Sequence, residues 1–286
     1  MNLKQFKARI ISNKVLLRYP GAEYYLMDLL ADDKLSELIP GQFVMLKCGG
    51  GTILRRPISI HSVKPDNVIE LLYALSSGDQ SLPSHHQEND AIKTNNEKGK
   101  KLLSRLKQNN EVDVIGPLGN GYKMCDRSKS LLLVAGGIGI APLRFLAERA
   151  TSMHKSVTLL MGARYQDGLY PRSLLPETIN MVNIVETIDM HSSYSKGMVT
   201  DLLPQYVNDH DEVFACGPVA MYKAMEEKLS ELSFERPVQI SLEVRMGCGF
   251  GVCYGCSIKT RQGIKRVCKE GPVFNIKDII WQEVKL

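Results

Sequence analysis

"KSLLLVAGGIGIAPLRFLAERATS", residues 129–152, carries the fold in a single line. The unbroken apolar run from Leu131 to Ala135 is the pattern of a strand buried on both faces, as found inside parallel sheets. Gly136, Gly137 and Gly139 then make a turn, and a helix follows with Pro142 in its first turn. There the missing N–H of proline costs nothing. The turn nearly fits the dinucleotide pattern G-x-G-x-x-G: Gly137 and Gly139 are in place, and Pro142 stands where the third glycine would be. A helix start of this kind points free N–H groups at a phosphate.

Working outward, "SVTLLMGAR" (156–164), "MVNIVETI" (181–188) and "EVFACGP" (212–218) repeat the buried-strand pattern, and "VAMYKAMEEKLSEL" (219–232) reads as a helix. Strand–helix alternation predicts a doubly wound parallel α/β domain over 126–236. Ligands of such sheets bind at the carboxyl ends of the strands. Cys216, Gly217 and Pro218 end one of them, so Cys216 is expected to face a nicotinamide; the alternative is a small buried thiol. After the second strand, Arg164 would pair with a 2′-phosphate, whereas Asp167 would take a ribose hydroxyl. The first arrangement suits NADP and the second NAD.

Upstream, residues 1–125 read as short strands with turns between them, which predicts a small antiparallel β-barrel. "RRPISI" (55–60) sets two guanidinium forks beside a strand. These suit a pyrophosphate, with Ser59 able to present its hydroxyl to a flavin edge; by itself such a string is more often a solvated strand end. "GPLGNGY" (116–122) alone is only a turn. The polar stretch from about 76 to 97 interrupts the barrel and is expected to be a surface insertion, or else a lid or docking element. His85 and His86 within it lack a second ligand pair and read as solvated.

Downstream, 237–286 forms a third unit. "MGCGFGVCYGC" (246–256) and Cys268 give the spacing C-x4-C-x2-C-x11-C. Structural zinc usually takes two short C-x2-C knuckles, and only one is present here. The order matches plant-type [2Fe–2S] ferredoxins, with the fourth cysteine arriving sooner. Gly247, Gly249, Gly251 and Gly255 would let the backbone curl and aim N–H groups at the sulfides. A zinc-stabilised binding module without redox work is the competing reading.

Composition bounds the partners. The 286 residues suit two or three domains, and the net charge of +5, from 36 basic and 31 acidic residues, is too mild to suggest nucleic acid. The most apolar stretch, 131–143, falls short of the ~20 residues that span a bilayer, and the N-terminus has no signal-like apolar run. The expectation is a cytoplasmic protein that binds neither nucleic acid nor membrane. In that compartment clustered cysteines are metal ligands or catalysts rather than disulfides.

R-x-x-S, then G-G-x-G-x-x-P, then C-G-P, in this order, resembles the ferredoxin–NADP reductase superfamily, which implies FAD on the barrel and a nicotinamide on the α/β domain. With "LRRPISI", "IGPLGNG", "MGCGFGVCYGC" and "VCKEGPVF", the chain is similar to the electron-transfer subunits of type B, NAD-linked dihydroorotate dehydrogenases, over nearly its whole length. That resemblance implies FAD contacts at Arg56, Pro57, Ile58, Ser59, Leu72, Tyr73, Ala74, Gly99 and Lys100. It also implies cluster ligation by Cys248, Cys253, Cys256 and Cys268. The family usually carries arginine at the position of Ala74, threonine at Lys100 and aspartate at Glu270; Lys100 is expected to supply the charge that Ala74 does not.

The implied path belongs to pyrimidine biosynthesis. Dihydroorotate is oxidised at FMN in a separate catalytic subunit, and electrons pass through [2Fe–2S] and FAD to NAD⁺. The expected assembly is a heterotetramer with two copies of each subunit. A (β/α)₈ barrel takes ~250 residues, so the FMN barrel must be another chain. Two alternatives keep part of this picture. One is a reductase subunit for sulfite reductase, hydrogenase or ferredoxin transhydrogenase; the other is a relative that docks but has lost FAD.

Overall fold

The computed structural model describes residues 4–32, 35, 37–76, 98–187 and 194–284. The insertion from 77 onward, with His85 and His86, lies outside the described residues.

Six strands close an antiparallel barrel: β1 (Lys4–Tyr19), β2 (Ala22–Ala31), β3 (Phe43–Leu46), β4 (Arg56–Lys64), β5 (Val68–Ser76) and β6 (Glu111–Leu118), in the order β1-β2-β5-β4-β3-β6. Alternate side chains fill it, among them Ala8, Ile10, Met27, Leu29, Ile58, Ile60 and Leu71. In β1, Phe6, Ala8 and Ile10 point inward while Lys7 and Arg9 stay exposed. A short helix, α1 (98–104), follows the insertion. It buries Leu103 in the barrel core, and Asn13 Nδ2 donates to the carbonyls of Leu103 and Leu106.

The second layer is a seven-stranded sheet of order β10-β9-β8-β7-β11-β12-β15. β7 (Ser130–Gly136) runs through a 3₁₀ turn into α2 (Ile140–Ser152), then come β8 (Ser156–Ala163), β9 (Asn180–Val185) and β10 (Ser195–Lys196). After the short α3 (Leu203–Tyr206), β11 (Glu212–Cys216) leads to α4 (Val219–Glu231) and β12 (Val238–Ser241). The strand order reverses between β7 and β11, which pair in parallel, and this opens a crevice at their carboxyl ends.

Beyond β12 lie the cysteine loop, the hairpin β13 (Ser257–Thr260) and β14 (Gly263–Arg266), the single turn α5 (Val267–Glu270), and β15 (Val273–Asn275). β15 adds antiparallel to β12. β12 and β15 therefore complete the α/β sheet, and β13 and β14 stand apart as a two-stranded sheet. One continuous core joins Phe43, Met45 and Leu118 of the barrel, Leu132 and Val134 of the sheet, and Cys256, Cys268 and Trp281.

Candidate redox site

A cleft of about 440 Å³ separates the barrel from the crevice. Pro57, Ile58 and Ser59 of β4, Leu72, Tyr73 and Ala74 of β5, and Lys100 of α1 line one wall. Gly136, Gly139 and Pro142 line the other, with Cys216, Gly217 and Pro218 at the end of β11. Three residues expected at the site do not line the cleft. Arg56, the first residue of β4, is buried, its Nη1 donating to the Leu54 carbonyl at 2.7 Å. Gly99 lies against it: a Cβ there would sit 2.6 Å from Arg56 Nε, so a larger residue would have to push the guanidinium aside. Gly137 takes φ +54°, and its Cβ position faces the Tyr24 hydroxyl at 3.3 Å.

The two loops of the crevice touch backbone to backbone. A Cβ on Gly139 would come within 1.9 Å of the Cys216 carbonyl oxygen, and one on Gly136 within 2.8 Å of Met221 Sδ. Cys216 is a neutral thiol: burial, then the nearby Glu243 carboxylate, pushes it up to about 12. Its Sγ donates to the Ser241 carbonyl at 3.6 Å. Tyr222 accepts the Gly217 N–H at 2.9 Å and donates to the same Ser241 carbonyl at 2.6 Å. At this pole the cleft offers a thiol and fixed dipoles rather than a nucleophile.

Sequence reasoning missed the floor of the cleft, which is Ser241, Leu242, Glu243, Val244 and Met246, the segment running straight into the cysteine loop. Arg164 and Asp167 are not among the lining residues. Arg164 Nε lies 3.8 Å from the carboxylate of Glu186 at the end of β9, a counter-charge that the sequence reading did not pair with it.

The four motif cysteines fall into two pairs. Cys256 and Cys268 are buried with their sulfurs 3.2 Å apart, and the Cys268 N–H points at Cys256 Sγ at 3.4 Å. Cys248 Sγ accepts the N–H groups of Val252 at 3.3 Å and Cys253 at 3.4 Å. Positive φ at Gly249 (+84°), Gly251 (+90°) and Tyr254 (+59°) turns the loop's amides inward. Burial raises the Cys248 thiol, but the N–H groups of Cys253, Phe250 and Val252 outweigh it and bring it down to about 6. Burial and the neighbouring Cys256 push Cys268 up to about 12.

Among the described residues no three His, Cys, Asp or Glu side chains meet in a single cage. Two pairs, one of them in a nest of N–H donors, suit two irons sharing four thiolates better than one tetrahedral zinc ion. Glu270 braces the loop. It accepts from the Arg266 guanidinium at 2.6 Å, and Arg266 donates onward to the Gly251 carbonyl at 2.8 Å. The two turn motifs of the sequence also meet here: Asn120 N–H donates to the Gly271 carbonyl at 2.6 Å, and a Cβ on Gly119 would lie 2.5 Å from Pro272 Cδ.

A closed barrel, a crevice at the β7/β11 switch point and a cleft between them define the ferredoxin–NADP reductase fold, here with a cysteine module on its edge. Solved structures agree in fold. That of an NADH-dependent reduced ferredoxin–NADP oxidoreductase superposes with a TM-score of 0.73 at 23% identity, covering 95% of this chain and 90% of that one. A ferredoxin NADP⁺ reductase from Neisseria gonorrhoeae with bound FAD and NADP gives 0.59 at 16%, covering 82% and 93%. Residues 133–227 match the oxidoreductase NAD-binding domain, and residues 243–280 match the iron-sulfur cluster binding domain of dihydroorotate dehydrogenase B.

Curated relatives narrow the class. Each is named as a dihydroorotate dehydrogenase B (NAD(+)) electron transfer subunit. The protein from Caldanaerobacter subterraneus subsp. tengcongensis is 31% identical, covering 97% of this chain and 99% of its own. That from Desulforamulus reducens is 33% identical, covering 96% and 100%. That from Bacillus mycoides is 35% identical, covering 84% and 86%. The chain belongs to the family of dihydroorotate dehydrogenase B electron transfer subunits.

Proposed function

We propose that this chain carries electrons from the catalytic subunit of a dihydroorotate dehydrogenase, through a [2Fe–2S] cluster and FAD, to NAD⁺. The observation that carries this is the continuity of the cleft floor: Leu242, Glu243, Val244 and Met246 line the cleft and lead directly to Cys248. The chain is an oxidoreductase subunit, and the step it serves lies in pyrimidine biosynthesis. The three units 1–125, 126–236 and 237–286 would hold FAD, nicotinamide and cluster respectively.

A bound flavin exchanges two electrons with a nicotinamide and single electrons with an iron–sulfur cluster. The chain's own residues place and insulate that chemistry. Lys100 would hold the flavin's phosphates, replacing a charge that Ala74 lacks, while Arg56, buried against Gly99, would support that wall from behind. Pro57, Ile58, Ser59, Leu72 and Tyr73 would hold its body, with the Ser59 hydroxyl toward the ring. Gly136, Gly139 and Pro142 would admit the dinucleotide, with Gly137 shaping their turn, and Cys216, Gly217 and Pro218 would bound the nicotinamide with a neutral thiol. Leu242, Val244 and Met246 keep water from the floor. Cys248, Cys253, Cys256 and Cys268 would ligate the cluster. Glu186 beside Arg164 disfavours the 2′-phosphate of NADP and favours NAD.

The catalytic partner would carry FMN, assemble with this chain as two copies of each, and dock near the cluster loop, where Val252 and Tyr254 are exposed. We place the protein in the cytoplasm; among the described residues no helix is long and apolar enough to cross a membrane. Anaerobic purification followed by FAD, iron and acid-labile sulfide analysis tests the proposal. One FAD, two irons and two sulfides per chain are expected. Zinc in place of iron, or a chain without flavin, would overturn it.

A further inference from the structure

His61 is the extra residue of a bulge in β4: Ile60 pairs with Leu71 and Ser62 with Glu70, so His61 faces no partner on β5. Bulges re-aim side chains. Here two successive residues, His61 and Ser62, both turn toward the α/β domain, which regular alternation forbids. The His61 imidazole is fully buried, with Nδ1 2.8 Å from the Ala141 carbonyl oxygen and Nε2 2.9 Å from the Tyr170 hydroxyl. A carbonyl only accepts, so Nδ1 carries the proton and Nε2 accepts from Tyr170. One neutral tautomer satisfies both contacts.

The placement joins the two walls of the cleft. His61 lies two residues beyond Ser59 on the barrel wall, and Ala141 lies between Gly139 and Pro142 on the opposite wall. Tyr170 belongs to the connection after β8 that also carries Arg164 and Asp167. The seam continues down α2, where Ser62 donates to Glu148 at 2.7 Å and Arg144 donates to Glu70 at 3.2 Å.

We propose that His61 is a positioning residue for hydride exchange: by holding the Ala141 carbonyl it sets the separation between the flavin wall and the nicotinamide wall. The inference rests on the function proposed above. A misplacement near 1 Å costs on the order of 100-fold in rate when two reactants must meet at a fixed distance. Loss of this contact should therefore slow transfer by roughly 10- to 100-fold.

The test uses the FAD- and cluster-loaded chain as wild type, His61→Leu, His61→Asn and Tyr170→Phe. Asparagine keeps a donor near the Nδ1 position, and leucine keeps only bulk. FAD and iron content, NAD⁺ affinity by calorimetry, and the rate of flavin bleaching at saturating NADH are measured for each. His61→Leu is expected to keep its cofactors and lose far more in saturating rate than in NAD⁺ affinity, and His61→Asn to recover most of the rate. An unchanged rate in His61→Leu, or equal slowing in the leucine and asparagine variants, overturns the proposal. Should His61→Leu fail to fold, Tyr170→Phe decides: slowed transfer at full FAD content supports the proposal, and a wild-type rate overturns it. Wild-type flavin that NADH does not bleach overturns the proposed function itself, and with it the role of His61.

Discussion

Gly139→Ala is the sharpest perturbation of the cleft. Gly139 has φ −58° and ψ −15°, a conformation open to any residue, so the effect of an added methyl is steric alone. The new Cβ would meet the Cys216 carbonyl oxygen at 1.9 Å, its carbon at 2.4 Å and Gly217 N at 2.9 Å. A comfortable C···O contact is ~3.3 Å, so the turn after β7 and the end of β11 must part by about 1.4 Å. Both are backbone, with no flexible side-chain tip to swing aside. Overpacking of this kind costs ~1–3 kcal/mol, which in a chain of this size lowers Tm by about 2–10 °C. The larger effect should fall on function, because the displaced atoms line the nicotinamide side of the cleft. FAD content should stay at the wild-type level, while NADH-driven flavin bleaching falls on the order of 100-fold. Calorimetric melting and stopped-flow absorbance check both. A variant with wild-type Tm and wild-type bleaching rate would refute the steric argument.

Cys268→Ser should abolish the cluster's visible absorbance while FAD remains, since Cys268 sits in the buried pair and is not among the residues that line the cleft; retained iron and sulfide at wild-type stoichiometry would contradict the ligand assignment. Glu186→Gln frees Arg164 for a phosphate, and because both side chains are about half exposed the gain should be modest. Preference for NADP⁺ over NAD⁺ in kcat/KM should rise roughly three- to tenfold, and no change would remove Glu186 from cofactor choice. Lys100→Ala should weaken FAD retention on dilution; unchanged retention would deny Lys100 its phosphate role.

His61 also makes stability depend on pH. Burial first, then the Arg144 charge, lowers it from its ordinary 6.5 to about 3. Above pH 6.5 it is neutral in both states and contributes no pH dependence. As pH falls below 6.5 the unfolded chain binds a proton that the folded chain refuses, and stability drops until about pH 3. Between pH 7.5 and 5.0 the wild type should lose about 2 kcal/mol more than His61→Leu in urea unfolding. Parallel pH profiles would contradict it.

Much of this site is legible in the chain because its motifs are local. The turn after β7 and the C-G-P end of β11 each hold their chemistry within a few residues, the four cysteines lie between positions 248 and 268, and the alternation of buried strands with helices predicts the sheet. What was missed depends on pairing. Glu186 meets Arg164 only because β9 lies beside β8. Gly99 matters through Arg56, forty-three positions away. The cleft floor at 241–246 reads as ordinary strand, and nothing in "VQISLEV" marks Glu243 as facing a cleft. The bulge at His61 exists only in the register of β4 against β5, which no single strand encodes.

The central claim is an electron path from dihydroorotate to NAD⁺ through this chain. The most direct measurement mixes the anaerobically purified chain with its catalytic subunit, adds dihydroorotate, and follows NADH formation. NADH should appear only when both subunits are present, and Cys253→Ser, which breaks the exposed pair of the cluster, should stop it while leaving FAD bound. NADH formation at the wild-type rate with Cys253→Ser, or none with a fully loaded wild-type chain, would contradict the account.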